Sequence, residues 1–276
     1  MHPPRSEHAR SLHILVAMLL LSGSLLGCSS SPRPTSPFLP ADTIATTVDR
    51  DSALAVLSSM RRTAFDSAFT ALNEYAVTRS VRTEQMDPSG AVTAMQSYVL
   101  RYSPGSGQGT IQERDSMGTF RSGGILEWST PAQTPTARPN NVAEQVLSDE
   151  PAFIEPRTRE GYRYALRADT LRGETPVYLL DAFARDQGTG RDQSVRYVRL
   201  VLHRGTRELI GLRMVRAGRV LLFEENSRMS VRLRRAPDGQ WVPHVTRVRA
   251  LVDVPFRTPR QFRTASDYYA YESSPS

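Results

Sequence analysis

Met229-Ser-Val-Arg-Leu-Arg-Arg235, then Ala236-Pro237-Asp238-Gly239, then Trp241 through Val254 form the stretch that decides the fold of this 276-residue chain. Val231 and Leu233 alternate with Arg232 and Arg234, and Val248, Ala250, Val252 and Val254 alternate with Arg247 and Arg249. Successive side chains of a strand point to opposite faces, so each run reads as a half-buried strand. Pro-Asp-Gly between them carries the residues of a tight reversal. The spacing predicts an antiparallel hairpin with one apolar face, and Arg232, Arg234, Arg247 and Arg249 together on the other as an anion-binding face.

The same period of two extends outward in both directions. Tyr75 to Glu84 and Ala94 to Tyr102 flank the turn Asp87-Pro88-Ser89-Gly90, and short strands follow at Thr110 to Arg114 and Gly118 to Ser122. After a gap, strands are expected at Tyr162 to Leu171, Pro176 to Arg185, Val195 to His203, Glu208 to Arg216 and Val220 to Glu225. Gly173, Gly205 and Gly218 fall at the reversals between them, and Phe262 to Tyr271 is expected as an edge strand. Before the first strand the period changes. Leu54, Leu57, Ala64, Phe65, Ala68, Phe69, Leu72 and Tyr75 fall in one stripe at helical spacing, broken chiefly by Arg61, with Asp49 or Asp51 as N-cap. Residues 130–160 hold five prolines and read as a long loop, either a functional flap or an excursion. The fold class is thus mainly β with one long N-terminal helix (α+β), a curved antiparallel sheet or open half-barrel wrapped around that helix.

The N-terminus carries an address. Arg5 and Arg10 precede an apolar run from Leu12 to Leu21 that ends in Ser22 and Gly23, the layout of a secretory signal and too short for a bilayer span, which needs about 20 apolar residues. Leu25-Leu26-Gly27-Cys28 resembles the lipobox of bacterial lipoprotein precursors, and Cys28 is the single cysteine. The resemblance implies cleavage after Gly27 and a diacylglycerol thioether on Cys28, with an N-acyl chain. Two or more acyl chains hold a protein stably to a membrane that it does not span. Ser29 is not the aspartate that tends to keep such proteins at an inner membrane, which implies the outer membrane, facing the periplasm. The expected organisation is a signal peptide over 1–27, a lipidated and flexible tether over 28–48, and one β domain over 49–276.

Composition removes whole chemistries. The chain carries 35 basic residues against 28 acidic ones, and every basic residue is arginine. Schiff-base catalysis and the P-loop lysine are therefore excluded. Loss of residues 1–27 removes three of the five histidines and leaves 33 arginines against 27 acids, with only His203 and His244 as imidazoles. The usual zinc, haem and iron–sulfur ligand sets cannot be assembled from that inventory, and no cofactor is expected. Neither histidine accompanies a nucleophile motif such as Gly-x-Ser-x-Gly, while Glu224, Glu225, Asp186 and Asp192 read as strand and loop acids. No catalytic or metal site is expected, with an envelope hydrolase as the outlying alternative. The basic charge is concentrated: sixteen arginines stand against five acids between Arg196 and Arg263.

The stretches Leu54 to Tyr75 and Val195 to Val254, including Arg199-Leu-Val-Leu-His-Arg-Gly-Thr-Arg-Glu-Leu-Ile-Gly-Leu, resemble the LolA/LolB/RseB-like group of envelope carriers and sensors. That resemblance implies a half-barrel that holds a helix and binds lipid or lipoprotein acyl chains without catalysis. The alternative is a scaffold lipoprotein that meets an envelope protein partner or anionic envelope components through the arginine face. Export from the cytoplasm sets a nucleic-acid partner aside.

Overall fold

A computed structural model describes residues 36–40, 50–120, 136–139, 147, 151–185, 195–220, 223–253 and 258–273. The signal peptide, Gly27 and Cys28 lie outside these residues.

The described chain opens with two short helices, α1 (Arg50–Ser58) and α2 (Thr63–Ala71), the second prolonged by a 3₁₀ turn over Leu72–Glu74. Ten strands follow: β1 (Tyr75–Met86), β2 (Val92–Tyr102), β3 (Gly109–Met117), β4 (Tyr162–Arg172), β5 (Thr175–Ala184), β6 (Val195–His203), β7 (Leu209–Val220), β8 (Phe223–Arg235), β9 (Trp241–Asp253) and β10 (Arg260–Ser273). They form one sheet in the order β3-β2-β1-β10-β9-β8-β7-β6-β5-β4, with every named pair antiparallel. Two meanders are thus joined where the first strand pairs with the last, and β3 and β4 are the two edges among the described residues. The sheet is mainly β in class and open.

The expected single helix is two. Arg61, the residue that interrupts the apolar stripe, leaves the helical path and pairs with the β6–β7 turn: its N–H donates to Arg207 O at 3.0 Å, and its carbonyl accepts from Leu209 N at 2.8 Å. Ser58 and Ser59 turn their hydroxyls back to the carbonyls of Ala55 and Val56, an arrangement that helps serine end a helical run. Tertiary hydrogen bonds outweigh propensity over these few residues. Asp51 lies inside the first turn of α1, where a carboxylate complements the helix dipole.

Two further expectations change. Ala217-Gly218 is not a turn: β7 runs through it to Val220, with Ala217 opposite Asn226 and Gly218 opposite Glu225, so the separate Val220 to Glu225 strand does not exist. Glycine without a positive φ can sit in a ladder, and here the ladder continues. Of the strands expected at Thr110–Arg114 and Gly118–Ser122, the first is β3, which continues to Met117; Gly118, Thr119 and Phe120 lie outside it, and residues 121 and 122 lie outside the described residues. Where the turns were anticipated from Asp-Pro-Ser-Gly and Pro-Asp-Gly they occur, with Gly90 and Gly239 both at φ 88° and Asp87 Oδ1 accepting from the N–H groups of Ser89 and Ala91.

One face of the sheet packs against the helices. Phe65, Phe69 and Leu72 join Leu180, Leu200, Leu212, Met214, Val231, Leu233 and Val242 in the main core, where α2 lies on β7 and β9 and α1 on β4. Each such aromatic or branched side chain contributes about 1.5–3 kcal/mol through burial. The long 130–160 segment is packed where it is described. Phe153 is fully buried and meets Tyr162 edge-to-face, and Leu147 is in the same core. Arg138, buried, donates to the carbonyls of Leu72, Ser103 and Ser106 and covers the Tyr102 ring, tying the end of α2 to the β2–β3 loop.

Candidate functional site

The arginine groove lies on the sheet face turned away from the helices. In the β8–β9 ladder Arg228 stands opposite Arg249, Ser230 opposite Arg247 and Arg232 opposite Val245. Strand alternation puts Arg228, Arg232, Arg247 and Arg249 on this face. The next strands add Arg213 from β7 and Arg199 from β6, in register with Ser230 and Arg213 respectively, and β10 adds Arg263. Together with Arg172 they line a groove of about 390 Å³ floored by Val201 and Val245.

Arg172 reaches the groove by a bend. It ends β4, three strands from β7, and three strand spacings of about 4.8 Å exceed what one arginine side chain spans in a flat sheet. The register shift between Arg167 and Thr170 is a bulge, which bends and twists the strand that carries it. The hairpin end leans over the face as a result, and a Cβ on Gly211 would come within 2.9 Å of Arg172 Nη1. Glycine at 211 is what admits the guanidinium. Arg172 Nη1 is shielded from solvent and has no hydrogen-bond partner among the described residues.

Three of the eight arginines are neutralised. Arg199 pairs with the buried Asp181 through two hydrogen bonds of 2.6 and 2.8 Å, with Tyr197 Oη donating to the same carboxylate at 3.0 Å. Arg247 pairs with Asp267 at 2.7 and 2.9 Å. Arg263 shares the buried Glu84 with Arg82. Arg172, Arg213, Arg228, Arg232 and Arg249 have no carboxylate partner among the described residues. Burial first, and then the adjacent Arg232 and Arg213, hold the Arg172 guanidinium below its ordinary range. Burial and then Arg213 and Arg249 do the same to Arg228. Such a cluster raises the free energy of the empty groove and lowers it when an anion enters, because guanidinium groups pair bidentately with phosphate and carboxylate.

Of the four arginines expected on one face, Arg232, Arg247 and Arg249 line the groove and Arg234 does not. His244 is an extra residue in the β9 register between Val245 and Pro243. The local twist of that bulge carries the end of β8 aside, and the Arg234 guanidinium lies 5.0 Å over the Tyr271 ring. Arg172, Arg199, Arg213, Arg228 and Arg263 were not among the expected site residues. The alternation of β8 could have found Arg228, whereas the other four depend on strand order and the bent hairpin.

A second occupant of this face comes from the expected tether. Ser36–Pro40 is packed, not free: Phe38 is buried against Tyr197 and Val215, beside Phe183 and Leu251, and Arg249 lies 5.8 Å over its ring. A phenylalanine among prolines and serines was enough to dock this piece beside the groove.

The opposite, helix-covered face carries the aromatic core near α2. Toward β1 and β10 it turns polar, with Thr83 hydrogen-bonded to Thr264 and Arg79 to Ser266. The histidines serve turns and strand ends. His203 Nδ1 accepts from Thr206 N–H at 3.1 Å, and the Thr206 hydroxyl lies between that nitrogen and Glu208, with the contacts closing the β6–β7 turn on the surface. A triad would need the imidazole between hydroxyl and carboxylate, which this order lacks. No group of metal-ligating side chains occurs among the described residues, and no helix among them is long and apolar enough to cross a membrane. The side chains of Glu224 and Glu225, and Asp186 and Asp192, lie outside the description.

No family model and no curated protein matches the chain. Among solved structures, it is similar to a domain from Vibrio parahaemolyticus described as an outer membrane lipoprotein-sorting protein, at 12% identity over 82% of this chain and 94% of that one, with a TM-score of 0.32. A LolA superfamily protein from Nitrosomonas europaea aligns at 12% identity over 83% and 95% of the two chains, with a TM-score of 0.24. A DUF1329 family protein from Desulfovibrio piger aligns at 11% identity over 82% and 93%, with a TM-score of 0.27. Scores of this size mark distant likeness.

Proposed function

We propose that the chain is a non-enzymatic lipoprotein of the bacterial envelope, held at the outer membrane through Cys28, that binds an anionic envelope component in the arginine groove. One observation carries this reading: five arginines without a carboxylate partner among the described residues converge on one groove, and two of them, Arg172 and Arg249, have a buried guanidinium nitrogen with no partner there. Folding such a cluster costs stability, and a bound phosphate or carboxylate offsets that cost. The ligand class is set by charge and planarity: phosphoryl or carboxyl groups, including those of lipids and lipoproteins. Binding of lipid or lipoprotein acyl chains in a half-barrel is the second reading.

Thermal melting of the mature chain with inorganic phosphate tests the groove. A rise in melting temperature that saturates with phosphate, and disappears in Arg213→Gln/Arg232→Gln, supports the reading; an equal rise in the double variant refutes it. Mass spectrometry of the native product tests the anchor, which demands a diacylglycerol adduct on an N-terminal Cys28.

A further inference from the structure

The first described residues, Ser36–Pro40, lie on the same sheet face as the groove. The described chain enters the fold at Ser36, and Ser36 and Phe38 are buried where the segment packs on the arginine face. Phe38 touches Val215, the next same-face residue along β7 from Arg213, and lies beside Leu251, the next along β9 from Arg249. The helices cover the other face. Eight residue steps separate Cys28 from Ser36, and even fully extended they reach at most about 29 Å. A lipid on Cys28 would therefore hold Ser36, on the groove's face, within about 29 Å of its point of attachment.

We infer that the arginine groove docks on the anionic headgroups of the membrane that holds the anchor, with phosphate oxygens of those lipids as the groove's ligand. This rests on the anion-binding reading above and names the source of the anion. Docking within the reach of a tether is intramolecular, so weak contacts suffice to hold the face down. A basic residue near an anionic leaflet contributes about 1 kcal/mol, about fivefold in affinity, and the attraction fades within a Debye length of about 8–10 Å. Three of the unpaired arginines together account for about a hundredfold. Phe38, packed beside the groove against Tyr197 and Val215, brings the chain that leads to the anchor onto the groove's face.

The test uses the full mature chain with Cys28→Ser, secreted without lipid, in flotation with phosphatidylcholine vesicles with and without phosphatidylglycerol. Binding is expected only with phosphatidylglycerol, and about a hundredfold weaker in Arg172→Gln/Arg228→Gln/Arg232→Gln. Gly211→Ala is the milder companion: its new methyl displaces the end of one flexible side chain, Arg172, and is expected to weaken flotation about fivefold. Phosphatidylglycerol binding that is equal in all three proteins overturns the inference, as does binding to phosphatidylcholine alone. A phosphate-dependent rise in melting temperature without flotation overturns the membrane ligand and leaves the anion site standing. Absence of both effects removes both readings.

Discussion

Arg172→Met should make the protein more stable and a poorer anion binder. The substitution keeps an unbranched stem over Gly211 and removes the guanidinium. Arg172 Nη1 is buried without a hydrogen-bond partner among the described residues, and an unmet buried donor costs about 1–3 kcal/mol. The side chain is only half-buried and solvent screens its repulsion from Arg213 and Arg232, so the low end, about 1 kcal/mol, applies. For a domain of this size that is a rise of about 2–4 °C in melting temperature. With phosphate the order should reverse. A ligand at a hundred times its dissociation constant stabilises the native state by about 2.7 kcal/mol, and the variant forfeits much of that gain. Differential scanning fluorimetry over a phosphate series, at fixed sodium chloride, should show the two curves crossing. A variant that melts lower without phosphate and gains as much from it as the parent would refute the account of the groove as an uncompensated cluster.

Asp181→Asn should move stability and binding in opposite directions. Breaking the Arg199 pair costs about 2 kcal/mol, less than for a fully buried pair because Arg199 keeps contact with solvent, while the freed guanidinium raises phosphate affinity; urea melts and phosphate titration read the two effects. Phe69→Ala, at a fully buried site on α2, should cost about 3–5 kcal/mol in urea unfolding and leave groove affinity per folded molecule unchanged. His244 is held below its usual range by burial first and then Arg234, with Arg232 adding to this and Asp267 and a Tyr268 backbone hydrogen bond opposing it. Its contribution is complete above the unfolded histidine pKa of about 6.5 and is lost as pH falls through the lower folded value. His244→Gln should flatten that part of the stability profile; a parent whose stability does not fall over the same window contradicts it.

The sheet was readable because each strand carries its own instructions. Alternation set the faces of β8 and β9, and Asp-Pro-Ser-Gly and Pro-Asp-Gly set two reversals, all within a few residues of chain. The errors fall where distant hydrogen bonds decide. Arg61 breaks the helix because Arg207 and Leu209 offer its backbone partners, and no residue near position 61 announces them. Gly218 continues a strand because Glu225 completes the ladder opposite it. Arg138 and Phe153 looked like parts of a loose loop, yet carbonyls at Leu72, Ser103 and Ser106 and the ring of Tyr162 turn them into internal ties.

The groove divides along the same line, and the division explains its chemistry. Arg228, Arg232, Arg247 and Arg249 belong to one hairpin, and strand parity alone puts them side by side. On a flat ladder Arg232 and Arg247 could turn their charges outward into water, whereas Arg249 Nε is already closed off from solvent. Arg213 extends the row from β7, and Arg172 arrives over a bulge to rest against a glycine, so that a second guanidinium nitrogen, in addition to Arg249 Nε, is closed off from solvent. That step converts a basic surface into a site, because a buried donor with no acceptor needs an anion in a way that a hydrated one does not. Gly211 is accordingly the residue through which the two readings part: if the face is merely solvated, Gly211→Ala should leave phosphate affinity alone, and if Arg172 completes a site, one methyl group on the floor should weaken it several-fold without unfolding the sheet.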